Sequence, residues 1–271
     1  MVVFPNAKIN LGLRILAKRN DGYHDLETVF YPLPFYDALE MIRQPATGEL
    51  SFSSGGLSIT GDAKDNLCVK AYNLLKKDFP GIPPVQMHLH KAIPSGAGLG
   101  GGSADASFAL KLLNDMASLG LSTEQLLHYS LQLGSDCPFF IINKPCFATG
   151  RGEQLETVSI DLSNFSFVIV NPGIHVPTGP AFSWLQPALP SISLKEIIAS
   201  PVDTWKDQLI NDFEAPVFIR YPEIKAIKEE LYNKGAVYAS MSGSGSTVYG
   251  LFPREMTLDI SFPEKYYVKH L

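Results

Sequence analysis

A glycine-rich segment from Pro94 to Ala104 carries the clearest chemical signal in the sequence. It reads Pro-Ser-Gly-Ala-Gly-Leu-Gly-Gly-Gly-Ser-Ala and places five glycines between Gly96 and Gly102. A helical pattern begins at Ser103, so bare backbone amides and the positive end of a helix dipole converge on one point. Such a point suits the oxygens of a phosphate group. The segment therefore predicts an anion site, although a flexible turn also fits the glycines alone.

Two known phosphate loops provide a comparison for this segment. The pattern G-x-x-x-x-G-K-[ST] occurs nowhere in the sequence. Gly96, Gly98 and Gly101 satisfy the dinucleotide pattern G-x-G-x-x-G, so an oxidoreductase that binds NAD(P) is one alternative. The strand before the loop alternates polar and apolar residues, whereas the first strand of a dinucleotide fold is almost continuously apolar. This context disfavours the dinucleotide alternative.

A second glycine-rich motif, Ser242-Gly-Ser-Gly-Ser246, lies between two strand-like segments. Alone it fits an ordinary hairpin loop. Together with the first glycine-rich segment, it predicts a loop that closes over a bound phosphate or nucleotide. The residues of this candidate closing loop are Ser242, Gly243, Ser244 and Gly245.

Asp136 and Lys8 are the candidate acid–base residues. Asp136 follows a helix-ending glycine and precedes an apolar run, so it lies at the edge of a core, where desolvation and charged neighbours tune a carboxylate. Lys8 lies among the apolar residues of a strand-like segment. A turn-forming aspartate and a surface lysine are the alternatives that spacing leaves open. His88 and His90 share a strand face, but no third ligand accompanies them, so no metal site is expected.

The elements that position these residues follow from periodicity and capping. Residues 8–15 alternate, which predicts a half-buried strand with Lys8 and Asn10 on its polar face. Further strands are predicted over residues 27–33, 38–43, 50–53, 85–91, 165–170, 236–241 and 247–252. Helices are predicted over residues 66–79 with an Asp65 cap, 103–119, 123–133 with a Ser122–Gln125 capping box, and 222–234. Strands and helices mix without strict alternation, which indicates an α+β fold in two lobes.

Composition limits the class of protein further. The chain has 271 residues, 45% of them apolar, and a net charge of −5, so a nucleic-acid partner is not expected. Its apolar runs are shorter than the ~20 residues of a membrane helix, and its first residues do not resemble a signal peptide. Three cysteines without a Cys-x-x-Cys pair indicate reduced thiols. We therefore expect a cytoplasmic protein without membrane partners.

Several motifs together resemble those of the GHMP kinases, a superfamily that includes galactokinase, homoserine kinase and mevalonate kinase. Residues 94–104 resemble its ATP loop, and MSGSGSTVYGLF at 241–252 resembles its third motif. PNAKINLGL at 5–13 and RNDGYH at 19–24 are similar to one branch, the 4-diphosphocytidyl-2-C-methyl-D-erythritol kinases. The same branch is matched in order by DNL at 65–67, GSDCPFF at 134–140, NPG at 171–173, ND at 211–212 and YPE at 221–223.

The resemblance implies a two-lobed α+β GHMP kinase architecture with the active site in the cleft between the lobes. An ATP-binding N-terminal domain would cover residues 1–155 and a C-terminal domain residues 156–271. The implied reaction is phosphorylation of the 2-hydroxyl of 4-diphosphocytidyl-2-C-methyl-D-erythritol, in the non-mevalonate route to isoprenoid precursors. ATP is the implied co-substrate, with Mg²⁺ carried on the nucleotide. Another small-molecule GHMP kinase is the nearer alternative, and the NAD(P) oxidoreductase the more distant one.

The resemblance also implies roles for individual residues. Asp136 matches the catalytic aspartate, which would accept the hydroxyl proton, and Lys8 matches the catalytic lysine, which would hold Asp136 ionised. The residues implied to contact the cytidylylated substrate are Asn10, Tyr23, His24, Thr178 and Phe182, with Tyr23 and Phe182 stacking on the cytosine. The residues implied to lie at the ATP are Asn66, Lys91, Pro94, Ser95, Gly96, Ala97, Gly98, Leu99, Gly100, Gly101, Gly102, Ser103 and Ala104.

Overall fold

The computed structural model describes residues 1–59 and 61–271 of the chain. Its strands are β1 (Val2–Val3), β2 (Asn6–Lys18), β3 (His24–Tyr36), β4 (Ala38–Arg43), β5 (Ser51–Gly56), β6 (Val85–Lys91), β7 (Cys146–Thr149), β8 (Gln154–Thr157), β9 (Phe165–Asn171), β10 (Tyr238–Met241), β11 (Val248–Pro253) and β12 (Tyr267–His270). Its α-helices are α1 (Leu67–Asp78), α2 (Gly101–Met116), α3 (Thr123–Leu133), α4 (Cys137–Ile142), α5 (Thr178–Phe182), α6 (Leu194–Ile197), α7 (Glu214–Arg220) and α8 (Pro222–Asn233). Short 3-10 helices cover Ala63–Asp65 and Val202–Asp207.

Capping explains where the helices begin. α3 has its predicted bounds. Its start is capped by Ser122 Oγ, which accepts from Gln125 N, and by the Gln125 side chain, which accepts from Ser122 N, and Gly134 is its C-cap. α1 begins one residue later than predicted, because Asn66, and not Asp65, caps it by accepting from Cys68 N at 2.9 Å. α2 begins at Gly101, inside the glycine-rich segment and before the predicted start. The last glycines of the segment are therefore already helical.

Three sheets have the strand orders β1-β4-β6-β5, β2-β3-β7-β8 and β10-β11-β9-β12. The strand before the glycine-rich segment, β6, pairs antiparallel with β4 and parallel with β5. Its residues alternate between buried and exposed. Because a dinucleotide fold needs a parallel first strand buried on both faces, this topology excludes the NAD(P) alternative. The predicted α+β class is confirmed.

The first long strand, β2, is more deeply buried than its alternating sequence predicts. Its apolar face is in the core, as expected, with Ile9 and Leu11 both fully buried. The opposite face is buried as well, since Lys8 is 3% exposed and Asn10 is 2% exposed. The prediction of a half-buried strand is therefore wrong for the polar face. Burying a lysine is costly unless a partner satisfies its charge, so this face must meet complementary groups.

The described chain divides into two compact units, and neither is continuous in sequence. The first unit comprises Met1–Lys8, Pro32–Ser95 and Gly100–Lys144, and the second comprises Ile9–Tyr31, Gly96–Leu99 and Pro145–Leu271. Each unit has its own apolar core: α1 and α2 pack on β4 and β6 in the first, and α7 and α8 pack with β9–β11 in the second. The domain boundary after residue 155 stays a prediction. No helix in the described ranges is long and apolar enough to cross a bilayer.

Candidate active site

A buried lysine and a partly exposed aspartate form an ion pair in the first unit. Lys8 Nζ lies 3.3 Å from Asp136 Oδ2, and the two side chains are 4% and 37% exposed. Asp136 stands at the N-cap of α4, but within the described part of the chain its carboxylate makes no capping hydrogen bond. Asp136 Oδ2 therefore pairs with Lys8, and more than a third of the side chain is open to solvent. The structure thus brings together the two predicted catalytic residues, although they are far apart in the sequence.

Two side chains of α2 hold the helix that carries Asp136. Ser107 Oγ donates to the carbonyl of Cys137 at 2.8 Å, and Lys111 Nζ donates to the carbonyl of Phe140 at 2.8 Å. These contacts attach α4 at two points to the helix that begins at the glycine-rich segment. Burial raises the pKa of the Cys137 thiol to about 11, so this neighbour of Asp136 stays protonated at neutral pH. Ser107 was not identified from the sequence, because one serine inside a helix gives no local signal.

The start of α2 lies directly against Lys8. Gly100 is the N-cap of α2, and a Cβ atom added to it would lie 3.0 Å from Lys8 Cγ and 2.8 Å from Phe140 Cζ. A side chain at this position would therefore displace the lysine or the helix of Asp136. The N-terminus of a 16-residue helix consequently lies beside the Lys8–Asp136 pair, within one unit. Amides at such a terminus favour an anion.

The two glycine-rich segments contact each other in the second unit. Ser242 Oγ donates to the carbonyl of Gly98 at 2.7 Å, and Thr247 N donates to the carbonyl of Ala97 at 3.3 Å. Asn10 joins them, since its backbone N–H donates to Ser242 Oγ at 3.3 Å. Ser244 Oγ lies 2.9 Å from Thr178 Oγ1. Closure of this loop over a nucleotide stays a prediction, but its contact with the first loop is present.

A buried asparagine supports the closing loop from beneath. Asn211 Nδ2 donates to the carbonyls of Met241 at 2.7 Å and Gly243 at 2.9 Å, and the residue is fully buried. This residue is absent from the predicted site. The sequence indicates Asn211 only through the Asn211-Asp212 pair, one of the motifs of the resemblance, for which no role is predicted.

Three candidate cytidine-binding residues lie in the second unit: Tyr23 precedes β3, His24 is the first residue of β3, and Phe182 ends the short helix α5. The rings of His24 and Phe182 are stacked with centroids 5.0 Å apart and an interplanar angle of 20°. Rings at this distance are in direct contact, so a base cannot lie between them in this arrangement. Burial and the charge of Lys18 lower the pKa of His24, which is therefore a neutral imidazole at pH 7. Tyr23 is 53% exposed. The cytosine sandwich between Tyr23 and Phe182 stays a prediction.

Asn66 and Lys91 have structural partners in the first unit. Asn66 caps α1, as described above. Lys91 Nζ donates to Asp105 Oδ2 at 2.8 Å and also to Asp37 Oδ2, and its side chain is 2% exposed. A Cβ atom on Gly101 would lie 3.1 Å from Lys91 Nζ, so this ammonium group lies beneath the first turn of α2. Direct contact of either residue with ATP stays a prediction; for Lys91 the geometry favours support of α2.

The buried triad of Lys91, Asp37 and Asp105 contains one more negative charge than positive. Burial is the main cause that raises the pKa of Asp105 to about 7; Lys91 opposes the rise and Asp37 adds to it. Asp105 Oδ1 has no hydrogen-bond partner among the described residues. A protonated Asp105 would leave the triad neutral. The protonation of Asp105 therefore decides the net charge of this buried triad.

Comparison with known proteins agrees with this geometry. The family profile of the GHMP kinases N-terminal domain matches residues 66–144, and the profile of their C-terminal domain matches residues 194–260. The first match contains the glycine-rich segment and Asp136, and the second contains the closing loop. The fold and the site therefore define a GHMP kinase.

The similarity to individual proteins extends over nearly the whole chain. A 4-diphosphocytidyl-2-C-methyl-D-erythritol kinase of Bacteroides fragilis is 54% identical over 264 residues, which are 97% of this chain and 96% of that protein. The kinase of the same name from Bacteroides thetaiotaomicron is 54% identical over 95% of this chain and 94% of its own. A crystal structure of 4-(cytidine 5'-diphospho)-2C-methyl-D-erythritol kinase has a TM-score of 0.79 at 30% identity and covers 93% of this chain and 90% of its own. The chain belongs to the family of 4-diphosphocytidyl-2-C-methyl-D-erythritol kinases.

Proposed function

We propose that this protein transfers the γ-phosphoryl group of ATP to the 2-hydroxyl of 4-diphosphocytidyl-2-C-methyl-D-erythritol. The observation that carries the proposal is the Lys8–Asp136 pair beside the N-terminus of α2. It joins a proton acceptor, a positive charge and an anion-binding helix end within one unit. Phosphoryl transfer requires this combination, because positioning and charge stabilisation supply most of its catalysis.

The phosphates of ATP would lie against the backbone amides at the start of α2. The glycines allow close approach to this backbone, because no side chains cover its amides. The dipole of α2 and Lys8 would then supply positive charge to the transferred group. The protein has a net charge of −5, so we expect the positive potential that receives two anionic substrates to be local to the site.

Asp136 would act as the base that receives the proton of the 2-hydroxyl as phosphorus is attacked. Its partial exposure lets a substrate hydroxyl reach the carboxylate, whereas Lys8 is buried. Lys8 would keep Asp136 ionised and stabilise the oxygen as its proton leaves. Ser107 and Lys111 support this geometry by holding α4, and so the N-cap position of Asp136.

The donor set of the site fits a magnesium ion that arrives on the nucleotide. Within residues 1–59 and 61–271, no three His, Cys, Asp or Glu side chains are grouped as a protein-built metal site would require. Mg²⁺ commonly uses one or two carboxylates together with substrate phosphates and water. Asp136 offers one such carboxylate, 37% exposed. When bound, the ion would neutralise charge that develops on the phosphate oxygens.

The cytidine moiety would be recognised in the second unit, by Tyr23 on the turn before β3, by His24 at the start of β3 and by Phe182 at the end of α5. These residues provide flat apolar faces, and base stacking on aromatic rings is worth roughly 1–3 kcal/mol per base. Asn10 and Thr178 would serve the same substrate, since both contact the closing loop. We also propose a cytoplasmic location, because Cys68, Cys137 and Cys146 are buried free thiols.

The test is an assay of ADP release with and without the cytidylylated substrate, together with ³¹P NMR of the product. We expect ADP release to depend on that substrate, and phosphorus to appear as a monoester on the 2-hydroxyl. Asp136→Asn should lower kcat by about 10²–10⁴-fold with ATP affinity retained, because it keeps the shape but removes the proton acceptor. Asp259→Asn, at an exposed aspartate, is the matched control. A kinase of another specificity would release ADP with another alcohol and would show no cytidine dependence.

A further inference from the structure

An arginine lies on the exposed ring of Tyr23. The Arg151 guanidinium carbon is 4.8 Å from the centroid of the ring, within the ~6 Å of a cation–π interaction. Both residues belong to the second unit. Because Tyr23 is 53% exposed, the arginine covers only part of the ring and leaves an aromatic surface open to solvent.

Arg151 is held in this position by its own turn. It lies between β7 and β8, and Glu153 accepts from Arg151 N at 2.6 Å and from Arg151 Nε at 3.3 Å. The preceding carbonyl, of Gly150, accepts from Leu26 N at 2.8 Å, which ties the turn to β3. The Arg151 and Glu153 side chains are 29% and 17% exposed. The guanidinium is therefore anchored beside the turn that carries Tyr23.

The backbone of Tyr23 is anchored from the other side. Asp21 Oδ1 accepts from Tyr23 N at 3.1 Å, and the Arg19 guanidinium binds the same carboxylate. Arg19 also binds Asp25 at 2.8 Å, across the turn. An exposed aromatic residue on a turn normally has several rotamers, and ordering it on binding costs free energy. Here the backbone and the ring are both restrained before any ligand arrives.

We propose that Arg151 is a positioning residue for the nucleobase of the substrate and acts through Tyr23. The guanidinium occupies one face of the Tyr23 ring and holds it so that the other face receives a pyrimidine base. This inference rests on the proposed function. A direct contact of Arg151 with the diphosphate of the substrate is the competing role. The geometry favours the positioning role, because Glu153 binds Nε and the cation already has an aromatic partner.

The experiment compares Arg151→Met, Tyr23→Ala and the double variant by steady-state kinetics. Arg151→Met keeps a long apolar side chain and removes the cation. We expect it to raise KM for the cytidylylated substrate by about two- to fivefold, with kcat and KM for ATP unchanged. Arg151→Lys should recover part of this loss, because an ammonium group also binds an aromatic face. In the Tyr23→Ala background, Arg151→Met should cause no further rise, because its target is gone.

A control variant shows whether the loss of any cation–π pair in the protein raises KM, or only the loss of the pair at Tyr23. Lys206 Nζ lies 4.6 Å from the Tyr232 ring centroid, and neither residue is among the proposed binding residues, so Lys206→Met should leave both KM values unchanged. An unchanged KM in Arg151→Met would overturn the proposal. A rise that persists in the Tyr23→Ala background would also overturn it and indicate direct contact with the substrate. A fall in kcat with an equal rise in both KM values would indicate a structural role instead.

The proposed function and this inference can fail separately. If the wild-type protein does not turn over the cytidylylated substrate, the proposed function fails before any variant is compared. In that case, calorimetry with cytidine 5'-diphosphate measures the dissociation constants of the wild type, the two single variants and the double variant. A two- to fivefold weaker binding in Arg151→Met that vanishes without Tyr23 would support the positioning role. Equal binding by wild type and Arg151→Met would refute it.

Discussion

Replacing Gly98 by alanine should separate the two glycine-rich segments. A Cβ atom at this position would lie 2.1 Å from the carbonyl oxygen of Ser242, and the glycine has a φ of +80°. The clashing atom belongs to the backbone, so no side-chain rotation relieves the overlap. Either segment must move by about 1 Å to restore an ordinary contact of roughly 3.4 Å or more. The hydrogen bond from Ser242 Oγ to the Gly98 carbonyl would then lengthen or break.

The expected loss of stability has three parts. Alanine in the left-handed region costs about 1–2 kcal/mol. Overpacking against a fixed neighbour costs typically 1–3 kcal/mol. A lost hydrogen bond costs about 0.5–1.5 kcal/mol. The sum is about 3–6 kcal/mol. Of the three costs, only that of the left-handed backbone is independent of Ser242.

Gly96→Ala is the matched control within the same loop. Gly96 also has a positive φ, +64°, but a Cβ atom there meets no atom of the described residues within 4 Å. Gly96→Ala should therefore lower the free energy of unfolding by only about 1–2 kcal/mol. The difference between the two variants, about 2–4 kcal/mol, corresponds to a gap in Tm of roughly 5 °C or more for a chain of this size.

Thermal unfolding followed by circular dichroism measures this difference, and coupled ADP release measures its effect on catalysis. We expect Gly98→Ala to lower kcat/KM by about 10²-fold, because a displacement of about 1 Å is enough to misplace reacting groups. Equal Tm values for the two alanine variants would refute the contact between Gly98 and Ser242. An active Gly98→Ala with a lowered Tm would show instead that the contact serves stability alone.

Three further predictions concern single side chains. Lys8→Met should lower kcat steeply in the coupled assay. Combining it with Asp136→Asn should lower kcat little further, because the effects of residues that act as a unit are not additive. A double variant whose loss in kcat equals the product of the two single losses would contradict a joint role. Phe182→Ala should raise KM for the cytidylylated substrate and leave KM for ATP unchanged, and a loss confined to ATP would reverse the assignment of the two binding regions. Burial raises the pKa of Asp105 to about 7, above its unfolded value, so the folded protein binds an extra proton between these values. The stability of the folded protein should therefore decline as pH rises from about 4 to about 7. Asp105→Asn should reduce the difference between the Tm values at about pH 5 and about pH 8. If this difference is unchanged in the variant, groups other than Asp105 cause it.

Local patterns in the sequence predicted most of the elements that carry the site. The capping box of Ser122 and Gln125 predicted the start of α3, and Gly134 predicted its end, since each signal lies within a few residues of the helix terminus that it marks. Alternation predicted the exact bounds of β4 and β6. The start of α2 was placed two residues late, because glycine has poor helix propensity. The reason for glycine at position 101 is tertiary, since an added Cβ atom would lie 3.0 Å from the Ile93 side chain and 3.1 Å from Lys91 Nζ.

The sequence by itself placed Lys8 and Asn10 on one face of β2 and put a glycine-rich segment before a helix. The tertiary structure alone decided that this polar face is buried, that Lys8 contacts Asp136, and that Gly98 contacts Ser242. It also decided that Arg151 lies on Tyr23 and that Lys91 is enclosed by two carboxylates. Period and capping depend on neighbours a few residues away, so a short window of sequence contains them. Contacts between distant segments depend on how all the elements pack, because the apolar cores and the pairing of strands determine which segments meet.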